Sequence, residues 1–160
     1  MKMTADEYLK AGEENFIRKE FTEAITNYDK AIELDPNNHV LYHNRGDAKS
    51  KLKQHEDAIA DYDKAIELDP EDASAYYNRG ISKSNLKQYE DAIADYDKAI
   101  ELDPEKDSAY NNRGVLKSNL KQYEDAIADY DKAIELNPKK ATPITGAVMY
   151  TRKLGNRTKP

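Results

Sequence analysis

An all-α fold, built as a solenoid of stacked helix-turn-helix units, is what the sequence predicts, and three observations carry that prediction. Pro36, Pro70, Pro104 and Pro138 stand 34 residues apart, a period at which two-helix repeats stack. The text between them recurs: residues 73–106 and 107–140 are identical at 28 of 34 positions. Within one copy, Tyr89, Ala92, Ile93, Tyr96, Ala99 and Ile100 step by three and four, so they share one face of a helix that stops before Pro104.

The first helix opens at Thr4, a good N-cap, with Glu7 three residues on to complete a capping box. Tyr8, Ala11, Gly12 and Asn15 mark its packed face, and it is expected to end near Lys19. A second helix is expected over 21–34, with Phe21, Ala24, Ile25, Tyr28, Ala31 and Ile32 inward. Asp35 precedes a proline, which pushes it out of the helical region and ends the element. Together these make a first repeat over 5–38. The cycle restarts over 39–72, 73–106 and 107–140, each with a first helix carrying Tyr-X-Asn-Arg-Gly and a second carrying the recurrent text. Beyond Pro138, Ile144, Val148 and Leu154 fall where a fifth repeat would set its Tyr, Gly and Leu. A single closing helix over 141–155 is therefore expected, since terminal units of solenoids are atypical. Gly155 would cap it, leaving 156–160 as a disordered basic tail.

Charged residues make up 35% of the chain and hydrophobic ones 38%, a balance that suits an extended stack with a solvated coat. The formal charge of -6 divides unevenly: residues 1–138 hold -12 and residues 139–160 hold +6. An acidic body argues against nucleic acid, whose phosphates need clustered Lys and Arg. With no cysteine, a disulfide framework and a thiolate metal site are both impossible. No stretch approaches the roughly 20 apolar residues of a membrane span, and the N-terminus lacks a signal-like apolar run. No membrane partner and a cytoplasmic location are expected, and the glycosylation pattern at Asn156-Arg157-Thr158 reads as chance.

Tyr42, Gly46, Leu52, Ala58, Tyr62, Ala65 and Pro70 recur as Tyr76, Gly80, Leu86, Ala92, Tyr96, Ala99 and Pro104. They recur again as Tyr110, Gly114, Leu120, Ala126, Tyr130, Ala133 and Pro138. This set resembles the signature of the tetratricopeptide repeat family, over residues 5–140. The resemblance implies a right-handed α-solenoid whose first helices line a concave groove where partners bind. Two departures stand out. Lys19, Lys53, Lys87 and Lys121 occupy the turn where the family often has glycine, and Lys49, Lys83 and Lys117 a position where it often has an aromatic.

Gly46, Gly80 and Gly114 sit inside helices at a cost of about 1 kcal/mol each against alanine. Close approach of the paired helix, at Ala58, Ala92 or Ala126, is the expected reason. The first repeat has Ala11 and Asn27 where the others have Arg45 with Asp61, Arg79 with Asp95, and Arg113 with Asp129. Charge at both positions or at neither points to an ion pair between helices, with Lys49, Lys83 and Lys117 as third members; divergence of repeat one is the alternative. If exposed, such a pair contributes about 0–1 kcal/mol.

Little in the sequence supports catalysis: three histidines, no phosphate-cradling glycine loop and no Ser/His/Asp arrangement. No enzyme and no cofactor are expected. His39 and His43 are four apart and Asp47 continues their stripe, but eight helical residues span about 12 Å. That is too far to share one ion, so no metal is expected and both histidines read as surface residues. His55, standing where Tyr89 and Tyr123 stand, is expected to be half-buried.

The matched repeats differ mainly on their first helices: His39/Ala73/Asp107, His43/Tyr77/Asn111, Asp47/Ile81/Val115 and Lys51/Asn85/Asn119, with Ala48/Ser82/Leu116 and Leu41/Ala75/Ala109 beside them. Steps of four keep such a set on one side, and the second helices hardly change, so the variation reads as a tuned surface. Asn44, Asn78 and Asn112 stay constant within it. An amide both donates and accepts, which matches the backbone of an extended peptide, and the resemblance implies such a ladder; local hydrogen bonding by these asparagines is the alternative. His43, Tyr77, Asn111, Asp47, Ile81 and Val115 would then read side chains. Family members that clamp chaperone C-terminal carboxylates use Lys and Asn at positions that correspond here to Leu9, Glu13, Asn44, Ser74 and Asn78, so that charge clamp is absent. The expected function is a protein-interaction scaffold binding an extended peptide or partner segment in the groove. The alternative is self-assembly, a homo-oligomer formed through the closing helix or basic tail.

Overall fold

The computed structural model describes residues 3–140 and residue 151. Among the described residues it holds α1 (Ala5–Ile17), α2 (Phe21–Leu34), α3 (His39–Lys51), α4 (His55–Leu68), α5 (Ala73–Asn85), α6 (Tyr89–Leu102), α7 (Asp107–Asn119), α8 (Tyr123–Leu136) and the short 3-10 turn η1 (Pro138–Lys140). No strand occurs among them. The fold is an all-α solenoid of helix-turn-helix repeats, and the chain forms two compact units, 1–87 and 88–160. In the first, α1 packs on α2, α2 on α3, α3 on α4 and α4 on α5; in the second, α6 packs on α7 and α7 on α8. The closing helix expected over 141–155 and the tail over 156–160 lie outside the described residues, Thr151 excepted. Thr151 is helical and buried, with its hydroxyl 3.2 Å from that of Ser118.

The helix starts follow from the sequence. Thr4 Oγ1 accepts the Glu7 amide at 3.2 Å, and Glu7 Oε2 accepts the Thr4 amide at 2.8 Å, the reciprocal capping box. Asn38 caps α3 through Val40, and Asp72 caps α5 through Ser74 and Ala75.

At the turns the lysines adopt a conformation usually left to glycine. Lys19, Lys53, Lys87 and Lys121 have φ between 61° and 63°, the left-handed region. The reason is carbonyl satisfaction. The Lys19 amide bonds Phe16 O and the Glu20 amide bonds Asn15 O; Lys53 with Gln54, and Lys121 with Gln122, repeat the pair, closing each helix in a Schellman motif. Left-handed backbone costs an L-residue about 1–2 kcal/mol, partly recovered against glycine through lower unfolded-state entropy. Lys53→Gly is therefore expected to stabilise the chain by about 0.5–1 kcal/mol, read as a higher urea midpoint. A lower midpoint would show that the turn stores no strain.

Tyrosines, with alanines between them, fill the core. Ala24, Tyr28 and Ala31 of α2, and their counterparts Ala58, Tyr62 and Ala65 of α4, are buried, as are Ala126, Tyr130 and Ala133 of α8. His55 is half-buried, as its position suggests. The helical glycines make room for the rings. A Cβ on Gly12 would lie 2.5 Å from Tyr28 Cε1, and on Gly46 or Gly114 it would lie 2.9 Å from Cε1 of Tyr62 or Tyr130. The expected reason, close approach at an alanine, is thus corrected: the tyrosine ring needs the space, with the Ala126 carbonyl a further contact at Gly114.

An ion-pair ladder joins the helices. Arg45 grips Asp61 with two nitrogens, at 2.9 and 2.6 Å, and reaches back to Asp29 of the preceding repeat at 2.7 Å. Lys49 adds a second cation to Asp61 at 2.7 Å. Arg113 and Lys117 do the same with Asp129, and Arg113 also reaches Asp97; Arg79 reaches Asp63 at 2.6 Å. Each arginine therefore ties its own repeat to the one before. In the first repeat neutral amides replace the charges: Asn27 donates to Asn15 at 2.8 Å, and Asn15 stands one period before Lys49. The pairs to Asp61 and Asp129 are buried, with these side chains 5% and 7% exposed, so the small contribution of an exposed pair does not apply to them, whereas Asp29, Asp63 and Asp97 stand at the surface. Arg45, Arg79 and Arg113 also lie over the rings of Tyr42, Tyr76 and Tyr110, at 5.4–5.6 Å, a cation–π contact that holds each guanidinium in place.

Candidate functional site

First helices line a groove in the first unit. One pocket, of about 300 Å³, is bounded by Glu13, Phe16, Ile17, Tyr28, Asn44 and Asp47. A second, of about 250 Å³, shares Phe16 and Asp47 and adds Ser50, Lys51, Tyr62, Asn78 and Ile81. The lining comes chiefly from α1, α3 and α5, whose helical spacing puts every fourth residue on the same side; Tyr28 and Tyr62 form the floor from α2 and α4. Ile17 is 79% exposed and Phe16 stacks edge-on against Phe21 at 5.3 Å, so the rim of the groove is apolar.

The sequence-predicted residues divide between the two units. Asn44, Asp47, Asn78 and Ile81 line these pockets, and His43 stands beside them. Tyr77 is half-buried on α5. Asn111, Asn112 and Val115 lie on α7 in the second unit, where the Asn111 amide is 3.4 Å from Asn112 Oδ1 and Val115 is exposed. Part of the variable set is core: Leu41, Ala75 and Ala109, like Ala48, Ser82 and Leu116, are buried, so their variation adjusts packing.

His43 also departs from expectation. It is not a surface residue: its side chain is 15% exposed, with Nδ1 2.7 Å from Asp72 Oδ2. On its other side, Nε2 lies 3.3 Å from the Asn78 side-chain nitrogen and 3.7 Å from Asp47 Oδ2. The same Asn78 nitrogen donates to Asp47 Oδ1 at 2.9 Å, and the Tyr62 hydroxyl donates to that oxygen at 2.7 Å. Burial and the Asp47 carboxylate push the Tyr62 phenol far above its ordinary range, so it stays a donor. A chain of polar contacts thus runs from the N-cap of α5 through His43 to the groove. Asn78 is engaged from within the protein, which holds its carboxamide in one orientation.

Burial pushes the Asp72 carboxyl up, but the His43 hydrogen bond and charge, with the amides of Ala75 and Ser74, outweigh it and hold it below the usual carboxylate range. A depressed folded pKa contributes stability that is present above the unfolded value near 3.9 and is lost as pH falls through the folded value. Asn caps helices as Asp does, so Asp72→Asn isolates the charge. The wild type is expected to exceed this variant in urea midpoint near neutrality, with the gap closing below about pH 4. A gap independent of pH would remove the charge from the account.

The sequence does not single out Phe16, Ile17 and Asp72 for the site, nor Glu13 as a lining carboxylate. Glu13 had a signal, since it stands one period before Asp47; Asp72 had none. Among the described residues no three His, Cys, Asp or Glu side chains are grouped to hold a metal ion, and no helix is long and apolar enough to cross a membrane.

Paired helices repeated on one period, with pockets lined by the first helices of the first unit, define a repeat scaffold. The tetratricopeptide repeat profile matches residues 73–106 and 108–140, and a second TPR repeat profile matches 12–53 and 46–86. The chain belongs to the tetratricopeptide repeat family. It is 44% identical to heat shock protein STI1 of Saccharomyces cerevisiae over 54 residues, 33% of this chain and 9% of that one. The chain thus spans less than a tenth of the length of the curated relatives it matches. Among solved structures, the MamA protein superposes with a TM-score of 0.86 at 26% identity, covering 98% of this chain and 87% of MamA. The first TPR of Spaghetti, bound to the HSP90 peptide SRMEEVD, superposes with a TM-score of 0.72 at 32% identity, covering 73% of this chain and 93% of that one.

Proposed function

We propose that this chain is a protein-interaction scaffold whose first-helix groove binds an extended segment of a partner protein, without catalysis. The observation that carries the reading is the pair of adjoining pockets, together with the apolar rim of Phe16, Ile17 and Ile81. Similarity to a repeat domain solved with a peptide supports it. In such grooves backbone hydrogen bonds supply affinity and side-chain pockets supply selectivity. In the first unit Asn44 and Asn78 serve the backbone, while His43, Asp47, Tyr77 and Ile81 shape the side-chain subsites; in the second unit Asn112 would serve the backbone and Asn111 and Val115 the side chains. His43 acts indirectly, by holding Asn78. The test is a peptide array probed with the full chain, with hits remeasured by fluorescence anisotropy against Asn44→Ala and Ile81→Asp. Weakened binding by both variants is expected, and hits indifferent to both would sink the groove.

Self-association has one observation in its favour, the -12 body beside the +6 segment over 139–160. Light scattering on the full chain separates the two readings, because a monomer at high protein concentration removes assembly and leaves peptide binding untouched.

A further inference from the structure

We infer that the pocket between α1 and α3 is a subsite for a cationic side chain, so the partner segment carries a lysine or arginine there and an apolar residue two positions away. This rests on the proposed peptide groove and specifies its chemistry. Glu13 and Asp47 occupy the same position of successive repeats, and both line this pocket with Phe16, Ile17, Tyr28 and Asn44. Neither lysine nor arginine is among its lining residues. The groups bonded to Asp47 Oδ1, the Tyr62 hydroxyl and the Asn78 amide, are neutral donors, and the His43 ring, 3.7 Å from Oδ2, is already paired more closely with Asp72 at 2.7 Å; no lysine or arginine of the lining balances the carboxylate. Two carboxylates facing a space with apolar and aromatic walls favour a cation that also buries a hydrocarbon stem, as Lys and Arg do.

Tyr28 is a second, separate observation. It is 1% exposed and lines the pocket, yet among the described residues its hydroxyl has no hydrogen-bond partner, whereas its counterpart Tyr62 donates to Asp47. Burial, then the charges of Glu13 and Asp47, push its phenol above the ordinary range, which keeps it neutral. Its ring is buried while the residue lines the pocket, so the phenol oxygen can accept from the N–H of a lysine or arginine seated there.

The neighbouring pocket sets the rest of the pattern. One period after Asp47 the carboxylate is replaced by Ile81, which lines the second pocket with Phe16, and there Lys51 supplies a local cation. Charge complementarity therefore directs the partner's cation to the first pocket and its apolar residue to the second. Alternate side chains of an extended strand share a side, about 6.5–7 Å apart, which is why the two residues are placed at i and i+2.

The test uses a random 12-residue peptide array probed with the full chain, each hit then resynthesised with citrulline or norleucine replacing its basic residue. Hits are expected to be enriched in Lys or Arg two positions from an apolar residue. Removing that charge, or Glu13→Gln in the protein, is expected to weaken binding about tenfold. Once citrulline is present, the Glu13→Gln effect should vanish. Hits that lose binding with Ile81→Asp but ignore Glu13→Gln would overturn the cation subsite and leave the groove standing. Hits indifferent to both variants, or an array without hits, would overturn both.

Discussion

Asp61→Ala is expected to lower stability by about 3–5 kcal/mol, the cost of removing one partner from a buried ion pair. Asp61 is 5% exposed and accepts from Arg45 twice and from Lys49 once, and both cations are only 19% exposed. Deleting the carboxylate strands Lys49 and leaves Arg45 with Asp29 alone. Asp29→Ala is the control, since that side chain is 49% exposed and its loss should cost less than about 1 kcal/mol. Urea midpoints followed by helical circular dichroism separate the two. Equal shifts would mean that burial does not govern the ladder.

Gly46→Val is expected to cost about 1–3 kcal/mol through overpacking. The first added carbon would lie 2.9 Å from Cε1 and 3.1 Å from Cδ1 of Tyr62. That ring is buried and tied through its hydroxyl to Asp47 at 2.7 Å, so it cannot turn aside without breaking a bond at the groove. In a Tyr62→Leu background, which lacks the obstructing ring, Gly46→Ala should cost less than it does in the wild-type chain. An unchanged midpoint for Gly46→Val would refute the packing role. Weakened peptide binding by Gly46→Ala is a second expected consequence, because Tyr62 positions Asp47.

Most of the architecture was legible because it is local and repeated. The 34-residue spacing of Pro36, Pro70, Pro104 and Pro138 sets the period, and the three- and four-residue steps of Ala24, Tyr28 and Ala31 set the buried faces. Thr4 and Glu7 announce the first cap. The ion pair was legible too, through its joint absence at Ala11 and Asn27, but its strength was not, because sequence spacing does not report how deeply Asp61 lies. The turns were doubtful for a similar reason: a lysine has no preference for φ near 61°, and the carbonyls of Lys49 and Ser50 impose it.

The groove divides the same way. That Asn44 shares a face with Asp47, and Asn78 with Ile81, follows from helical periodicity alone. That His43 is bound by Asp72, 29 residues away, follows from nothing local, since stacking of α3 against the N-cap of α5 creates the contact. By itself the sequence determined period, helix limits and inward faces, all consequences of backbone geometry within one repeat. Only the tertiary structure decided which charges are buried, why the glycines are needed and which polar groups in the groove are already committed. Those depend on distances between helices, and close packing sets these to within a few tenths of an ångström.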